Sequence, residues 1–171
     1  MSKLALLIYY LIAQHLPSSF FPLGKIYNSF RIFCLKKILL IGKNTKVQSS
    51  VYIGNGQNIR IGDFCQINER VKLDNVYISD YVMIAPGVTV LGKMHEYRNL
   101  KVPMINQGQT ECKQTIIENN VWIGTNAIIM PGLRIASGSI IGAGAVLTKD
   151  TKKDGIYGGI PAKLLKFRNE L

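Results

Sequence analysis

A repeat of six residues is the feature that most constrains how this chain can fold. Large aliphatic residues stand at every sixth position from residue 117 to residue 147: Ile117, Ile123, Ile129, Ile135, Ile141 and Leu147. Three positions after each stands a residue suited to a bend: Asn120, Asn126, Gly132, Gly138, Gly144 and Asp150. A fixed short repeat indicates stacked units, and a hexapeptide repeat is typical of a parallel β-helix.

The same period occurs earlier in the chain, with two slips of register. The aliphatic positions there are Ile41, Val47 and Ile53, then Ile61, Ile67 and Leu73, then Ile78, Ile84 and Val90. Each unit supplies one short strand and one corner, so three units close a triangular coil of about eighteen residues. Strands of successive coils pair at ~4.8 Å and stack their aliphatic residues inside. The pattern therefore predicts an all-β fold, a parallel β-helix of about five coils over residues 41–155.

Residues 1–40 have a different pattern, which predicts a helical extension. The apolar run from Leu4 to Ala13 is too short for a membrane-spanning helix, which needs about 20 apolar residues. From Lys25 to Leu40, apolar residues at helical spacing mix with basic residues, which predicts a basic amphipathic helix. We expect residues 1–40 to cap the first coil. Contact with an anionic membrane surface is a hypothesis added to that role.

The charge is strongly basic. There are 21 Lys and Arg against 10 Asp and Glu, for a formal net charge of +11, and no acidic residue precedes Asp63. Such an excess suits an anionic partner, which is a phosphate-bearing cofactor, a membrane or a nucleic acid. No interleaved aromatic platform accompanies the basic residues, so we expect no nucleic-acid partner.

The cysteines indicate the compartment. Cys34, Cys65 and Cys112 are odd in number, lie far apart and lack metal-ligand spacing. We interpret them as reduced thiols, which predicts a cytoplasmic location.

The repeat disappears between residues 92 and 115. A long excursion from a rigid scaffold is where binding residues tend to lie. This loop carries His95, the only histidine of the repeat region. With an unperturbed pKa around 6.5, imidazole is well suited to accept a proton near neutral pH. A surface histidine without function is the alternative, but its position favours a general base. No carboxylate is assigned to orient His95, although Glu96 is adjacent.

Several motifs carry a family resemblance. They are the hexapeptide repeats, the loop with His95 and PMINQG, NNVWIGTNAIIMPG, IIGAGAVLTKD and YGGIPAKLLK. Together they resemble the left-handed β-helix acyltransferases, especially the bacterial O-acetyltransferases of capsule, O-antigen and exopolysaccharide clusters, related to the maltose and galactoside acetyltransferases. The resemblance covers residues 41–168, and residues 1–40 resemble the helical extension of the polysaccharide subgroup. It implies a left-handed coil, acetyl-CoA as the donor, no metal, and a homotrimer with active sites between subunits.

The resemblance also implies roles for individual residues. His95 matches the catalytic histidine that removes the proton from a sugar hydroxyl during direct transfer. Two residues, Asn68 and Asp74, match positions that face the acceptor. The matches to cofactor-binding positions are Thr125 and Ala143 beside the pantetheine arm, Thr148 and Lys149 beside the lower arm and nucleotide, and Lys163 and Lys166 beside the phosphates. The last two lie in a C-terminal segment, residues 156–171, expected to contact the cofactor.

Other functions stay open. An N-acetyltransferase acting on an amino-sugar nucleotide, a serine acetyltransferase or a drug-modifying enzyme would also need a base, so His95 does not discriminate among acceptors. A β-helical zinc carbonic anhydrase needs three imidazoles at one metal, and only His95 is suitably located in each chain. A non-catalytic β-helical scaffold is the third class.

Overall fold

A computed structural model describes residues 2–170. Two helices come first, α1 (Lys3–Leu11) and α2 (Gly24–Leu35), with a 3-10 turn at Ala13–His15 between them. The strands that follow are β1 (Leu40–Ile41), β2 (Lys46–Val47), β3 (Arg60–Ile61), β4 (Gln66–Ile67), β5 (Lys72–Leu73), β6 (Val76–Ile78), β7 (Met83–Ile84), β8 (Thr89–Val90), β9 (Thr115–Ile117), β10 (Trp122–Ile123), β11 (Ile128–Ile129), β12 (Arg134–Ile135), β13 (Ile140–Ile141), β14 (Val146–Leu147), β15 (Gly155–Gly159) and β16 (Ala162–Phe167). Further 3-10 turns lie at Met104–Asn106 and Arg168–Glu170.

The strands form three sheets, which are the three faces of a β-helix and are parallel throughout except for the last strand, β16. The first face has the order β1-β3-β6-β9-β12, and the third has the order β14-β11-β8-β5. A bridge between Tyr52 and Lys72 adds the first coil to the third face. The second face has seven strands, in the order β16-β15-β13-β10-β7-β4-β2. The predicted class is therefore confirmed, and the stack is taller on its second face than the expected five coils.

The core is made of the residues that define the repeat. On the second face Ile67, Ile84, Ile123 and Ile141 are partners in successive strand pairs and are fully buried. Residues before them on each strand point outward, because neighbouring side chains of a strand alternate between its two sides. Each six-residue unit thus repeats the same inward aliphatic position, which explains why the period of six is so strict.

The corners use the bend residues as expected, with one difference. Asn120, Asn126, Gly132, Gly138 and Gly144 all have positive φ, the conformation that glycine and asparagine adopt at least cost. Asp150 does not. Its carboxylate accepts a hydrogen bond from the backbone N–H of Arg134 at 2.9 Å, while Asp154 takes the left-handed conformation.

A ladder of side-chain hydrogen bonds runs along the corner between the first and second faces. Asp63 Oδ1 accepts from the N–H of Lys43 at 2.7 Å, and Asp80 Oδ1 accepts from the N–H of Asp63 at 2.7 Å. Asn119 Oδ1 accepts in turn from the N–H of Asp80 at 3.0 Å. A side-chain oxygen of each coil thus accepts the hydrogen bond of a corner backbone N–H in the coil before it.

The two helices are joined to the first coil through a buried arginine. Arg31 of α2 has no exposed surface. Its guanidinium donates to the carbonyls of Ala13 (3.0 Å), Val47 (2.9 Å) and Leu16 (2.6 Å). The guanidinium therefore joins α2 to the segment after α1 and to strand β2. Helix α2 ends at Leu35 rather than at the expected Leu40, because Leu40 already pairs with Arg60 in the first face.

The C-terminal segment closes the other end as a hairpin. Strand β15 pairs parallel with β13, and β16 pairs antiparallel with β15. The register shifts between Ile156 and Tyr157, so that Leu165 is an extra residue on β16. Residues 156–171, expected to form a tail, thus continue the second face through residue 167.

Candidate active site

Backbone hydrogen bonds join the two ends of the loop between β8 and β9, and they fix the backbone of His95. The N–H of Lys113 donates to the carbonyl of Gly92 at 3.0 Å, and Thr110 N donates to the carbonyl of Met94 at 2.8 Å. His95 itself bridges Gln109 in antiparallel fashion. The imidazole is exposed. The loop therefore holds the backbone of His95 in place and leaves its imidazole accessible.

Glu96 does not orient the imidazole. Its carboxylate accepts from Arg98 Nε at 2.8 Å, from the Arg98 terminal nitrogen at 2.7 Å and from the N–H of Tyr97 at 3.0 Å. These bonds, that from the Arg98 side chain first, lower the pKa of Glu96 to about 2. Glu96 is therefore deprotonated and forms an ion pair with Arg98.

The tip of the loop is held by Gln107, whose role the sequence analysis did not identify. Gln107 Nε2 donates to the carbonyls of Asn99 (2.8 Å) and Val102 (2.6 Å), and its Oε1 accepts from the N–H of Asn99 at 3.0 Å. Its presence in the PMINQG motif was the only signal. Because three hydrogen bonds satisfy one side chain, the tip has a defined shape without a hydrophobic core.

Three predicted site residues lie along the corner that follows the second face. Asn68 comes directly after β4, Thr125 lies two residues after β10, and Ala143 lies two residues after β13. The carbonyl of Thr125 accepts from Gly144 N at 2.8 Å, which stacks the last two coils. Thr125 and Ala143 are exposed. The half-buried Asn68 donates to the carbonyl of Ile84 at 2.9 Å.

Glycine is required at this corner. A Cβ on Gly124 would lie 2.6 Å from the backbone nitrogen of Ala143, which is closer than carbon atoms come in real structures. The corner therefore presents closely stacked backbone beside Thr125 and Ala143, with no side chain at residue 124 to cover it.

Four other predicted residues lie along the corner that follows the third face. Asp74 follows β5, the loop with His95 follows β8, and Thr148 and Lys149 follow β14. Asp74 lies against the start of the loop, because a Cβ on Gly92 would come within 2.8 Å of its carboxylate. These seven predicted residues therefore divide between two corners of one chain.

Two cavities meet at Thr148. One, of about 440 Å³, lies under the loop and is lined by Met94 and Glu96, the neighbours of His95, together with Thr148. The other, of about 290 Å³, lies beside the C-terminal hairpin and is lined by Thr148, Lys149 and Lys163. Thr148 therefore borders both the cavity under the loop that carries His95 and the cavity lined by Lys149 and Lys163.

The hairpin brings its two predicted lysines to the same side. In a regular strand, residues three apart point to opposite sides. Here Lys163 pairs with Gly158 and Lys166 pairs with Ile156, and these partners are two residues apart. The extra residue, Leu165, thus restores a common side for both lysines. Lys166 is exposed and lies outside the cavity that Lys163 lines.

The remaining candidate groups are accounted for within the described part of the chain. Residues 2–170 contain no group of three His, Cys, Asp or Glu side chains that could hold a metal ion. Cys34, Cys65 and Cys112 are free thiols, and only Cys112 is exposed. No helix within these residues is long and apolar enough to cross a membrane.

Comparison with known proteins agrees with the fold and the repeats. Residues 114–149 match the family model described as bacterial transferase hexapeptide (six repeats). The chain is 33% identical over 133 residues to a galactoside O-acetyltransferase of Escherichia coli, a match covering 76% of this chain and 64% of that protein. The chain thus spans less than two thirds of that relative's length.

Two further relatives extend the match. The chain is 30% identical over 141 residues to a galactoside O-acetyltransferase of Lactococcus lactis, covering 80% of this chain and 67% of that protein. A solved structure of a galactoside acetyltransferase in complex with coenzyme A superposes with a TM-score of 0.82 at 29% identity, covering 97% of this chain and 80% of that one. With its stacked hexapeptide repeats, the chain belongs to the hexapeptide-repeat acyltransferase family.

Proposed function

We propose that this protein is an acetyl-CoA-dependent O-acetyltransferase that acts on a sugar hydroxyl in the biosynthesis of surface polysaccharide. The observation that carries the proposal is the pair of cavities that both border Thr148, one lined by Lys149 and Lys163 and the other lined by residues of the loop that carries His95. A donor with phosphates at one end and a thioester at the other fits that distribution of charge. Two relatives named as galactoside O-acetyltransferases, and the solved structure of a galactoside acetyltransferase in complex with coenzyme A, support both substrates.

The residues suggest direct transfer without an acyl-enzyme. His95 accepts the proton of the acceptor hydroxyl as its oxygen attacks the thioester carbonyl. The carbon–sulfur bond then breaks, the acetyl group remains on the sugar oxygen, and the coenzyme A thiolate leaves and takes up a proton. Because a thioester is already activated, positioning of the two substrates and one base suffice. Lys163 and Lys166 bind the phosphates, Thr148 and Lys149 lie beside the lower arm and nucleotide, and Thr125 and Ala143 line the pantetheine arm.

The division of the site between two corners supports an active site shared by subunits. Asn68, Thr125 and Ala143 lie along one corner, whereas Asp74 and His95 belong to the other. In a homotrimer of parallel β-helices, the first corner of one subunit faces the second corner of its neighbour and completes the set. A molar mass in solution of three times 19.1 kDa is expected from light scattering.

The acceptor and the compartment complete the proposal. Asn68 and Asp74 contact the sugar, whose hydroxyl lies over His95. Acetyl-CoA as the donor and three free thiols support a cytoplasmic reaction.

Substitution of the base tests the mechanism. His95→Ala should lower kcat by ~10²–10⁴-fold, the usual scale for a general base. His15→Ala is the matched control, since His15 is the other histidine of the chain, is exposed, and lies in the helical cap. Release of coenzyme A thiol in the presence of a galactoside measures both variants. Turnover of His95→Ala within threefold of the parent would remove His95 from the mechanism.

The same assay tests the acceptor class. We expect sugars with free hydroxyl groups to stimulate thiol release. Amino-sugar nucleotides, serine and chloramphenicol serve as competing acceptors. Stimulation by an amine alone would replace O-transfer with N-transfer, and no stimulation by any acceptor would favour a non-catalytic scaffold.

A further inference from the structure

The outer surface of the helical cap is apolar, although a helix that packs on one side of a domain usually has a polar outer face. On α1 the inward residues are Ala5 and Tyr9, which are buried. Leu4, Leu7 and Leu11 lie on the opposite side and are exposed. Their spacing of three and four residues puts them on one stripe. Helix α1 is therefore apolar on both sides, and only one side has a partner within the chain.

Helix α2 has the same arrangement. Its inward residues include Arg31 and Leu35, which are buried against the first coil. Ile26, Phe30 and Phe33 form an exposed stripe at spacings of four and three residues. The sequence pattern predicted an amphipathic helix from these three residues, and they form its outer side rather than the side that packs.

The segment between the helices extends this surface. Phe20, Phe21 and Leu23 are all exposed there, and the two phenylalanine rings lie 5.0 Å apart. We call the exposed apolar residues of α1, of α2 and of this segment the cap surface: Leu4, Leu7, Leu11, Phe20, Phe21, Leu23, Ile26, Phe30 and Phe33. Nine large apolar side chains exposed in one part of the chain are unusual for a surface that contacts only water. Exposed apolar patches of this kind mark interaction sites.

Lysines border the cap surface. The backbone N–H of Ser2 donates to the carbonyl of Lys37 at 3.3 Å, so the start of α1 lies beside the end of α2. Lys3, Lys36 and Lys37 are therefore grouped at one end, and all are exposed. Lys25 lies at the other end, at the start of α2. The first acidic residue of the chain is Asp63, so no carboxylate of the cap offsets this charge.

We propose that the cap surface docks on an anionic phospholipid bilayer, with the apolar stripes inserted at the level of the headgroups and the lysines against lipid phosphates. Apolar stripes bordered by lysines are the pattern of helices that lie in the membrane interface. A second copy of this chain fits the surface less well, because symmetric pairing would bring the three grouped lysines of each copy together. Docking requires neither the active site nor acetyl-CoA, so it stands or falls independently of the proposed reaction.

Sedimentation of the full chain with extruded vesicles tests the proposal. Vesicles of phosphatidylcholine alone are compared with vesicles containing phosphatidylglycerol, each at low and high salt. We expect at least tenfold stronger partition to the anionic vesicles at low salt, since each lysine near an anionic surface contributes about fivefold. High salt should reduce this preference, because it screens charges across the interface.

Two variants separate the apolar from the electrostatic contribution. Leu7→Ser combined with Phe33→Ser should weaken binding to both kinds of vesicle by at least tenfold. Lys36→Gln combined with Lys37→Gln should weaken binding to anionic vesicles only and remove most of its salt dependence. Light scattering and thermal melting of each variant establish that its assembly and fold are those of the parent.

Matched controls lie at the opposite end of the β-helix. Leu165→Ser changes a leucine that is as exposed as Leu4, at 66% for each. Lys152→Gln with Lys153→Gln removes another adjacent pair of exposed lysines. Both controls should bind vesicles like the parent.

Three results would overturn the proposal. They are absence of binding by the parent, equal binding by the Leu7→Ser and Phe33→Ser variant, and a change of oligomeric state in that variant without a change in vesicle binding. The last would identify the cap surface as a contact between protein chains. If the Leu7→Ser, Phe33→Ser variant fails to fold, the Lys36→Gln, Lys37→Gln variant and the parent's preference for anionic vesicles still test the proposal.

Discussion

Replacement of Arg31 by methionine should detach the helical cap from the β-helix. The guanidinium makes three hydrogen bonds of 2.6–3.0 Å to carbonyls of the segment after α1 and of β2. A hydrogen bond from a charged group contributes ~1.5–3 kcal/mol, so the three contribute roughly 5–9 kcal/mol before the cost of burying the charge. That cost is several kcal/mol, and it also lowers the pKa of Arg31. We therefore expect Arg31→Met to reduce the free energy of unfolding by about 3 kcal/mol.

Urea denaturation followed by circular dichroism measures this loss. With a slope of roughly 2 kcal/mol per molar urea, the midpoint should fall by about 1.5 M at equal protein concentration. Lys36→Met is the matched control, because Lys36 follows the same helix but is exposed, and exposed substitutions usually change stability by less than ~0.5 kcal/mol. Equal midpoints for the two variants would refute the argument that Arg31 joins the cap to the first coil.

Two further predictions concern the donor and the pH dependence of stability. Lys163→Ala combined with Lys166→Ala should raise KM for acetyl-CoA with little change in kcat, since contacts to the phosphates are remote from the thioester and equal in the ground and transition states. Initial rates at varied donor concentration measure this, and a fall in kcat at unchanged KM would contradict the assignment. Glu118 accepts hydrogen bonds from the N–H and Oγ of Ser137, chiefly the former, and these hold the pKa of its carboxyl below 4.5. Its stabilisation is therefore present above pH 4.5 and lost as the pH falls below that value, so Glu118→Gln should melt with a weaker pH dependence than the parent between pH 5 and about 3. Identical pH profiles of the melting temperature would show that Glu118 does not contribute.

The stacked core could be predicted from the sequence because it depends on local periodicity. Positions six apart, such as Ile117 and Ile123, must both point inward if the chain coils in units of six, and they do. The burial of Arg31 could not be predicted in this way. Its carbonyl partners at Ala13 and Val47 lie 18 and 16 residues away, and their convergence depends on how the helices pack.

The candidate site was predictable as a set of residue types but not as an arrangement. The motif identified Lys163 and Lys166, yet their common side depends on one extra residue in β16 that no alternating pattern signals. The loop was recognised from the loss of the repeat. The ion pair between Glu96 and Arg98 depends on the local conformation at the base of the loop, which the repeat does not determine.

The hydrogen-bond ladder at the corner of the first and second faces links the stacking of each coil to the coil that is synthesised after it. The N–H of Lys43 has its acceptor in Asp63, which lies twenty residues later in the chain, and the N–H of Asp63 depends in the same way on Asp80. At about 5–20 residues per second, a ribosome adds the next coil within seconds. In a nascent chain, the corner N–H of the newest coil therefore lacks its side-chain acceptor. The next coil supplies that acceptor and brings a corner N–H whose own acceptor lies later in the chain. The acceptor for each of these amides arrives only with the coil that stacks on it, which favours the native register as the chain grows.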